Sequence, residues 1–325
     1  MSFDFDTAVQ APFRMQPGLR RLPVGAHQLT PSAVPQRGAA RHLREKLAVR
    51  WAFPQQSLLC VAGFDTAPAL SVLAQQAATE HPDAWQIDGG PCDGCWSATW
   101  LGWRVDSSGQ ASADRGTGWP EIGPFLQSLP ATWRQTALLS LAFAEDFAIV
   151  DANSGTLPWL AVALPSMWAP EDKIGRHFTE VHAPVAENRL IVDASAHLLR
   201  LVTGPQRWER FVWTVTAHPR LHAHPQRVDP ARWPAGVTAE QLPQLSWLRT
   251  ERQTFIPVPD ARQAVFTICV DTQALSRAID SAERAAKLHA AIASMSDAVL
   301  AYRGLSGIRE PLLQWLDQRA TGRLR

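Results

Sequence analysis

Four groups of residues have the types and spacing to do chemistry. His182 stands in Val181-His182-Ala183-Pro184-Val185, apolar on both sides. A proline pushes the residue before it out of the helical region, so this segment is expected to be extended. An imidazole on a rigid apolar segment suits a buried axial metal ligand, although a lone His among apolar residues is more often a hydrogen-bonded core histidine. The run Ser246 to Phe255 is polar on both faces of a strand: by alternation Arg249, Glu251 and Gln253 share one face, and Leu248, Thr250, Arg252 and Thr254 the other. Such a strand is either a solvated edge ladder or a site, because buried charge is costly unless it is paired or meets a ligand. His218, His222 and His224 cluster among prolines; the last two could share a strand face and bind a metal, but no third ligand is evident. Cys92 and Cys95 form a C-D-G-C turn, too little for a closed zinc site and lacking the following histidine of a c-type haem tether. No glycine-rich phosphate loop, dinucleotide fingerprint or G-x-S-x-G elbow is present.

The elements that must position these groups follow from periodicity. Residues 1–37, rich in Pro and Gly, read as an extended arm over the domain. Ala39 to Val49 and Ala67 to Thr79 are expected helices, and Cys95 to Val105 one arm of a hairpin. Phe147 to Val150 and Leu157 to Leu164 flank D-A-N-S-G-T, a strong hairpin signal. Helical material is expected over 171–178 and from Asn188 to Thr203. Strands follow over Arg210 to Ala217, Leu245 to Val258 and Ala264 to Val270. Helices from Leu275 to Tyr302 and from Ile308 to Gln318 close the chain. Two strands, helices, then three strands predicts an α+β fold: an antiparallel, PAS-like sheet with covering helices, an N-terminal lobe and C-terminal helices. The expected divisions are an arm and lobe over 1–139, the core over 140–272 and terminal helices over 273–325.

Composition narrows the function classes. The 31 Lys and Arg balance 30 Asp and Glu to a net charge of +1, which offers nothing to nucleic acid or an anionic membrane surface. No apolar run is long enough to span a bilayer, and the acidic opening M-S-F-D-F-D is unlike a signal peptide, so the cytoplasm is the expected compartment. Four Cys in 325 residues make no disulfide framework. Fourteen Trp against one Tyr suggest either ordinary packing or a pocket of flat side chains for a flat ligand.

Several stretches, in order, resemble the haem-dependent oxidative N-demethylase family. They are P-F-R-M-Q-P-G-L-R (12–20), A-E-D-F-A-I-V (144–150), W-A-P-E-D-K-I-G-R (168–176), V-H-A-P-V (181–185), R-F-V-W-T-V (210–215), R-T-E-R-Q-T-F-I-P-V-P (249–259) and A-V-F-T-I (264–268). The chain departs from the family pattern at Ala186, Val212 and Phe255. The resemblance implies a PAS-like domain holding haem b, its iron ligated by His182. It implies a monooxygenase-type oxidoreductase that demethylates a small, dimethylamine-like secondary amine with dioxygen. Electrons would come from a separate flavin and iron–sulfur reductase, and formaldehyde would be released. Within it, Glu251 is the candidate for holding the cationic amine. Arg210, Arg249 and Arg252 are candidates for the haem propionates, and Trp213 completes the expected cofactor-binding set. A non-catalytic haem-binding sensor or haem subunit is the alternative.

Overall fold

In the computed structural model, residues 3–34, 40–90, 93–114, 118–228 and 232–323 are described. Their strands are β1 (Arg20–Arg21), β2 (Leu58–Cys60), β3 (Gln86–Asp88), β4 (Cys95–Ala98), β5 (Trp103–Val105), β6 (Ala111–Ala113), β7 (Asp146–Asp151), β8 (Thr156–Ala161), β9 (Trp208–Thr216), β10 (Trp247–Val258) and β11 (Gln263–Ala274). They make a seven-stranded sheet in the order β1-β9-β10-β11-β7-β8-β2 and a four-stranded sheet in the order β3-β4-β5-β6, with antiparallel pairing between neighbours. With its helices, this is an α+β fold. Among the described residues, no helix is long and apolar enough to cross a membrane.

The β7–β8 hairpin turns where expected. Asp151 accepts hydrogen bonds from the amide and hydroxyl of Ser154, and Gly155 takes φ +70°, a region only glycine enters freely. The long β10–β11 hairpin keeps register over its full length, with Glu251 opposite Val270 and Gln253 opposite Ile268. On its other side β10 pairs with β9, which puts Val212 opposite Glu251 and Arg210 opposite Gln253. The polar strand is therefore interior, which removes the edge-ladder explanation of its charges.

The face of the large sheet away from Glu251 is covered by two apolar cores. Phe147, Ile149, Trp159, Ile256 and Val265 pack with Leu73 and Ala77 of the helix Ala67–Glu80 and with Phe143 and Leu139 of the N-terminal region. Six of the fourteen tryptophans pack here, among them Trp85, Trp96 and Trp159, with Trp133 stacked on Trp159 at 6.2 Å. At the β9 end, Trp213, Val215 and Leu248 meet the C-terminal helices through Leu288, Ile292 and Trp315.

Several expected elements are divided or displaced. Cys95 to Val105 is itself a hairpin, because Gly102 at φ +72° reverses the chain after a 3₁₀ turn. The helix expected over Asn188 to Thr203 is two, Arg189–Asp193 and Ser195–Val202, broken at Ala194. Leu275 to Tyr302 is three, since Ser281 and Ser296 each turn a side chain back to cap a new start. Over 171–178 only a 3₁₀ turn, Pro170–Asp172, forms. The helix starts later, at Phe178, and runs through the segment expected to be extended, ending at His182.

Beneath β7 lies a buried cation. Lys46 Nζ donates to the carbonyls of Ser140 and Phe143, both at 3.0 Å, and to that of Glu145, and lies 3.3 Å from Asp146. Asp146 in turn accepts the amides of Ala163 and Leu164, joining the end of β8 to the helix Ala131–Ala142. Removing one partner strands the other charge. Lys46→Met is expected to cost about 3–5 kcal/mol in urea unfolding, with part recovered in Lys46→Met/Asp146→Asn.

Candidate functional site

The face of the sheet opposite the tryptophan-rich core opens on a cavity of about 650 Å³. Its floor is Arg210, Val212 and Thr214 from β9, Arg249, Glu251, Gln253 and Phe255 from β10, and Phe266 and Ile268 from β11. These are alternate residues, as strand geometry requires of one face. The walls come from distant parts of the chain: Phe13 to Leu19 of the arm, Met167 and Trp168 before the 3₁₀ turn, the His182 helix, and Tyr302 and Arg303 near the C-terminus.

His182 is held through its helix. His177 caps the helix by accepting from the Thr179 amide, while Glu180 reaches back to the His177 amide at 3.0 Å. The His177 ring covers Gly155, where a Cβ would stand 2.5 Å from its Nε2, so the β7–β8 turn and the helix start fit only with glycine there. Asn188 Nδ2 donates to the carbonyls of His182 and Ala183, and Lys173 Nζ to that of Val181. The His182 ring packs on Phe178 at 4.2 Å, and Nδ1–H donates to the Phe178 carbonyl at 2.8 Å. That bond leaves the Nε2 lone pair uncommitted. Burial pushes the imidazole's pKa down to about 4 against the opposing pull of the Phe178 carbonyl, with the Arg210 and Lys173 charges adding to the fall. A neutral imidazole with one nitrogen fixed on a carbonyl is the form that ligates metal.

The other expected residues divide. Glu251 is buried in the cavity floor and accepts from Gln253 Nε2 at 2.5 Å. Arg210 is close enough for the two charges to interact; burial lowers its pKa and Glu251 opposes that. Arg249 is on the cavity face, but its donors are taken: Nε by Ser166 Oγ, Nη1 by the Arg220 carbonyl, Nη2 by those of Pro165 and Leu221. It clamps two loops and has little left for a propionate. Arg252 points to the opposite face, where it pairs with Glu209 at 2.9 Å and holds the His27 carbonyl. Alternation within the strand already separates it from the cavity residues. Trp213 is also on the far face of β9; it borders the cavity, donates Nε1 to the Ala8 carbonyl and meets Phe13 edge-on, so it fastens the arm. Of the tryptophans, only Trp168 and Trp213 border the cavity among the described residues.

Sequence reasoning missed Tyr302 and Arg303, at and just past the end of the helix expected over Leu275 to Tyr302. Arg303 lies over the rings of Phe13 and Trp213, at 4.5 and 5.3 Å, and donates to the Trp213 carbonyl. Burial pushes its pKa down to about 10. Arg210 Nε, Arg303 Nε and Thr214 Oγ1 are all buried without a hydrogen-bond partner. Buried donors are rarely left so, and three around one cavity fit a ligand that brings acceptors.

The remaining candidates stand apart. His222 Nδ1 donates to the Ala163 carbonyl and His224 Nε2 faces Glu171 at 3.1 Å, outside the large cavity. Cys92 lies outside the described residues, and burial pushes the Cys95 thiol up, away from reactivity.

A cavity lined by one imidazole and by several cationic side chains, set between a sheet and its helices, is what this fold offers a ligand. The model of haem-dependent oxidative N-demethylase, alpha subunit-like, matches residues 72–313. The chain belongs to that family.

His218 and His222 give a pH test of the frame around the site. Burial holds both below their ordinary value of 6.5. Unfolding restores that value, so the unfolded chain binds more protons once pH drops below it, and stability present above 6.5 is lost as pH falls. Urea midpoints should decline from about pH 7.5 to about pH 5.5, and His222→Asn, which keeps a donor for Ala163, should flatten the decline.

Proposed function

We propose that the cavity holds haem b, whose iron His182 Nε2 would ligate. On this reading the protein is a monooxygenase-type N-demethylase of a small, dimethylamine-like secondary amine. The observation that carries the proposal is the His182 imidazole: neutral, fixed through Nδ1, and lining a large cavity with unmatched donors. Two strands, helices and three strands, with the last strand set beside the first, support a PAS-like core. Arg210 and Arg303 would meet the propionates, replacing Arg249 and Arg252 in that role. Bound there, haem supplies the activation of dioxygen. In the balanced reaction one oxygen atom enters the N-methyl group and the other leaves as water. Two electrons would come from a separate flavin and iron–sulfur reductase and two protons from solvent, and the N-hydroxymethyl product would separate into amine and formaldehyde.

The chain's own work is placement. A small secondary amine is protonated at neutral pH, and Glu251 is the carboxylate on the cavity face of β10. Its charge-assisted bond would orient the ammonium, with the Gln253 amide fixing the carboxylate in turn. Phe255, Phe266 and Ile268 line the same side and would exclude water from the methyl groups.

Two variants separate ligand from cap. His182→Ala should lose or grossly alter the Soret spectrum. His177→Ala should keep it while losing about 1 kcal/mol of stability with the helix cap. Reversed spectra would reject the assignment, and a colourless wild type that takes up no added haemin would reject the cofactor.

Glu251→Gln should retain haem yet bind dimethylamine about five- to thirtyfold more weakly, read from the ferric spectrum, with slower formaldehyde release. Unchanged affinity would remove Glu251 from the amine site. A wild-type haem protein whose spectrum answers to no amine would instead favour the sensor reading.

A further inference from the structure

Across the sheet from the cavity, the arm is fastened to the end of the helix Ala67–Glu80. There His27, Glu80 and His81 bring one nitrogen or carboxylate oxygen each within 4.8 Å of one another. The three positions are fixed by bonds that leave ligand atoms available. His81 Nε2–H donates to the Leu29 carbonyl at 2.8 Å, so this ring presents Nδ1. A carbonyl holding the far nitrogen is the usual way a metal-binding histidine is oriented. Glu80 accepts from the amides of Gln28 and Leu29 and from Gln76 Nε2. The Gln28 amide is shared between both oxygens, so a cation reaching one of them would displace only half of a bifurcated bond. The His27 ring is exposed and meets His81 edge-on, with centroids 5.0 Å apart.

The backbone carrying His27 is equally well held. Arg252 donates to its carbonyl at 3.0 Å, and the next residue, Gln28, sends its side-chain amide to Thr254 Oγ1 and the Phe255 carbonyl. Arg252 is itself anchored by Glu209. The far face of β10 thus sets the place of one imidazole, and the last turn of the helix sets the other two groups. Two nitrogens and one carboxylate oxygen suit a borderline divalent cation of the zinc class. Calcium and magnesium, which take oxygen ligands, are poorly served by two imidazoles.

We propose that His27, Glu80 and His81 bind one zinc-class divalent cation, with water completing its shell, and that the cation ties the N-terminal arm to the helix Ala67–Glu80. The same arm supplies Phe13 to Leu19 to the cavity wall. Its fastening therefore bears on the site from the opposite side of the sheet.

The test is calorimetric titration of zinc into tag-free, haem-bearing, full-length protein, paired with thermal unfolding. One equivalent should bind, and zinc should raise the unfolding temperature. His27→Ala, which removes an exposed side chain, should weaken binding by about tenfold or more and abolish the zinc-dependent rise. Cys95→Ser should leave both unchanged. The proposal is overturned if His27→Ala titrates like the wild type, if Cys95→Ser removes the equivalent, or if no zinc is taken up at millimolar concentration.

Discussion

An interior strand cannot carry Arg249, Glu251 and Gln253 on one face unless each polar group is met, because an unmet buried charge costs more than a single domain can spare. The fold is arranged around meeting them. Arg249 gives its donors to four uncharged oxygens, drawing the loops at Pro165–Ser166 and Arg220–Leu221 onto the sheet. Gln253 bonds Glu251, and Arg210 from β9 stands within its field. Once the loops are drawn in, Met167 and Trp168 become the cavity's wall. The strand that makes the site possible also shapes its opening.

The opposite face of β10 solves a similar problem with opposite charges. Arg252 pairs with Glu209 from β9, and both are tied to the arm: Arg252 through the His27 carbonyl, Glu209 through Arg20 at 3.0 Å. The arm is thus latched on one face of the sheet while an earlier part of it walls the cavity on the other. Trp213 adds a further fastening through the Ala8 carbonyl. A change on the far face of β10 can therefore reach the cavity through the arm rather than through the strand.

Alternation along β10 was readable from sequence, and it correctly grouped Arg249, Glu251 and Gln253. It also separated Arg252 from them, which a list of arginines near a motif does not respect. Spacing carries no information on hydrogen-bond saturation, so nothing in the sequence distinguished the spent donors of Arg249 from those of Arg210. The helix ending at His182 was hidden by Pro184. The proline's bias falls on Ala183, yet even Ala183 stays in the helical region at φ −56°, ψ −38°, carried by a helix nucleated by the His177 capping box. Tyr302 and Arg303 reach the cavity only because Ser296 starts a fresh helix after the break at Ser294 and Met295, and their role depends on that tertiary placement. The tryptophan count is uninformative for a related reason: composition counts side chains without assigning them to a face, and six of the fourteen went to the other core while, among the described residues, Trp168 and Trp213 border the cavity.

The charges around the cavity set the last constraint on what it can hold. Arg210, Arg249, Arg303, Lys173 and Arg14 border it, against Glu251 and Asp172. The burial-depressed pKa values of Arg210, Arg303 and Lys173 show that these cations are held at a desolvation cost. A small amine cation alone would add to that cost. A ligand carrying acceptor groups would offset it, and would leave Glu251, held by Gln253, as the one place on the floor where a cation is welcome. On the floor itself the two signs stand side by side, since Arg210 lies within reach of the Glu251 charge.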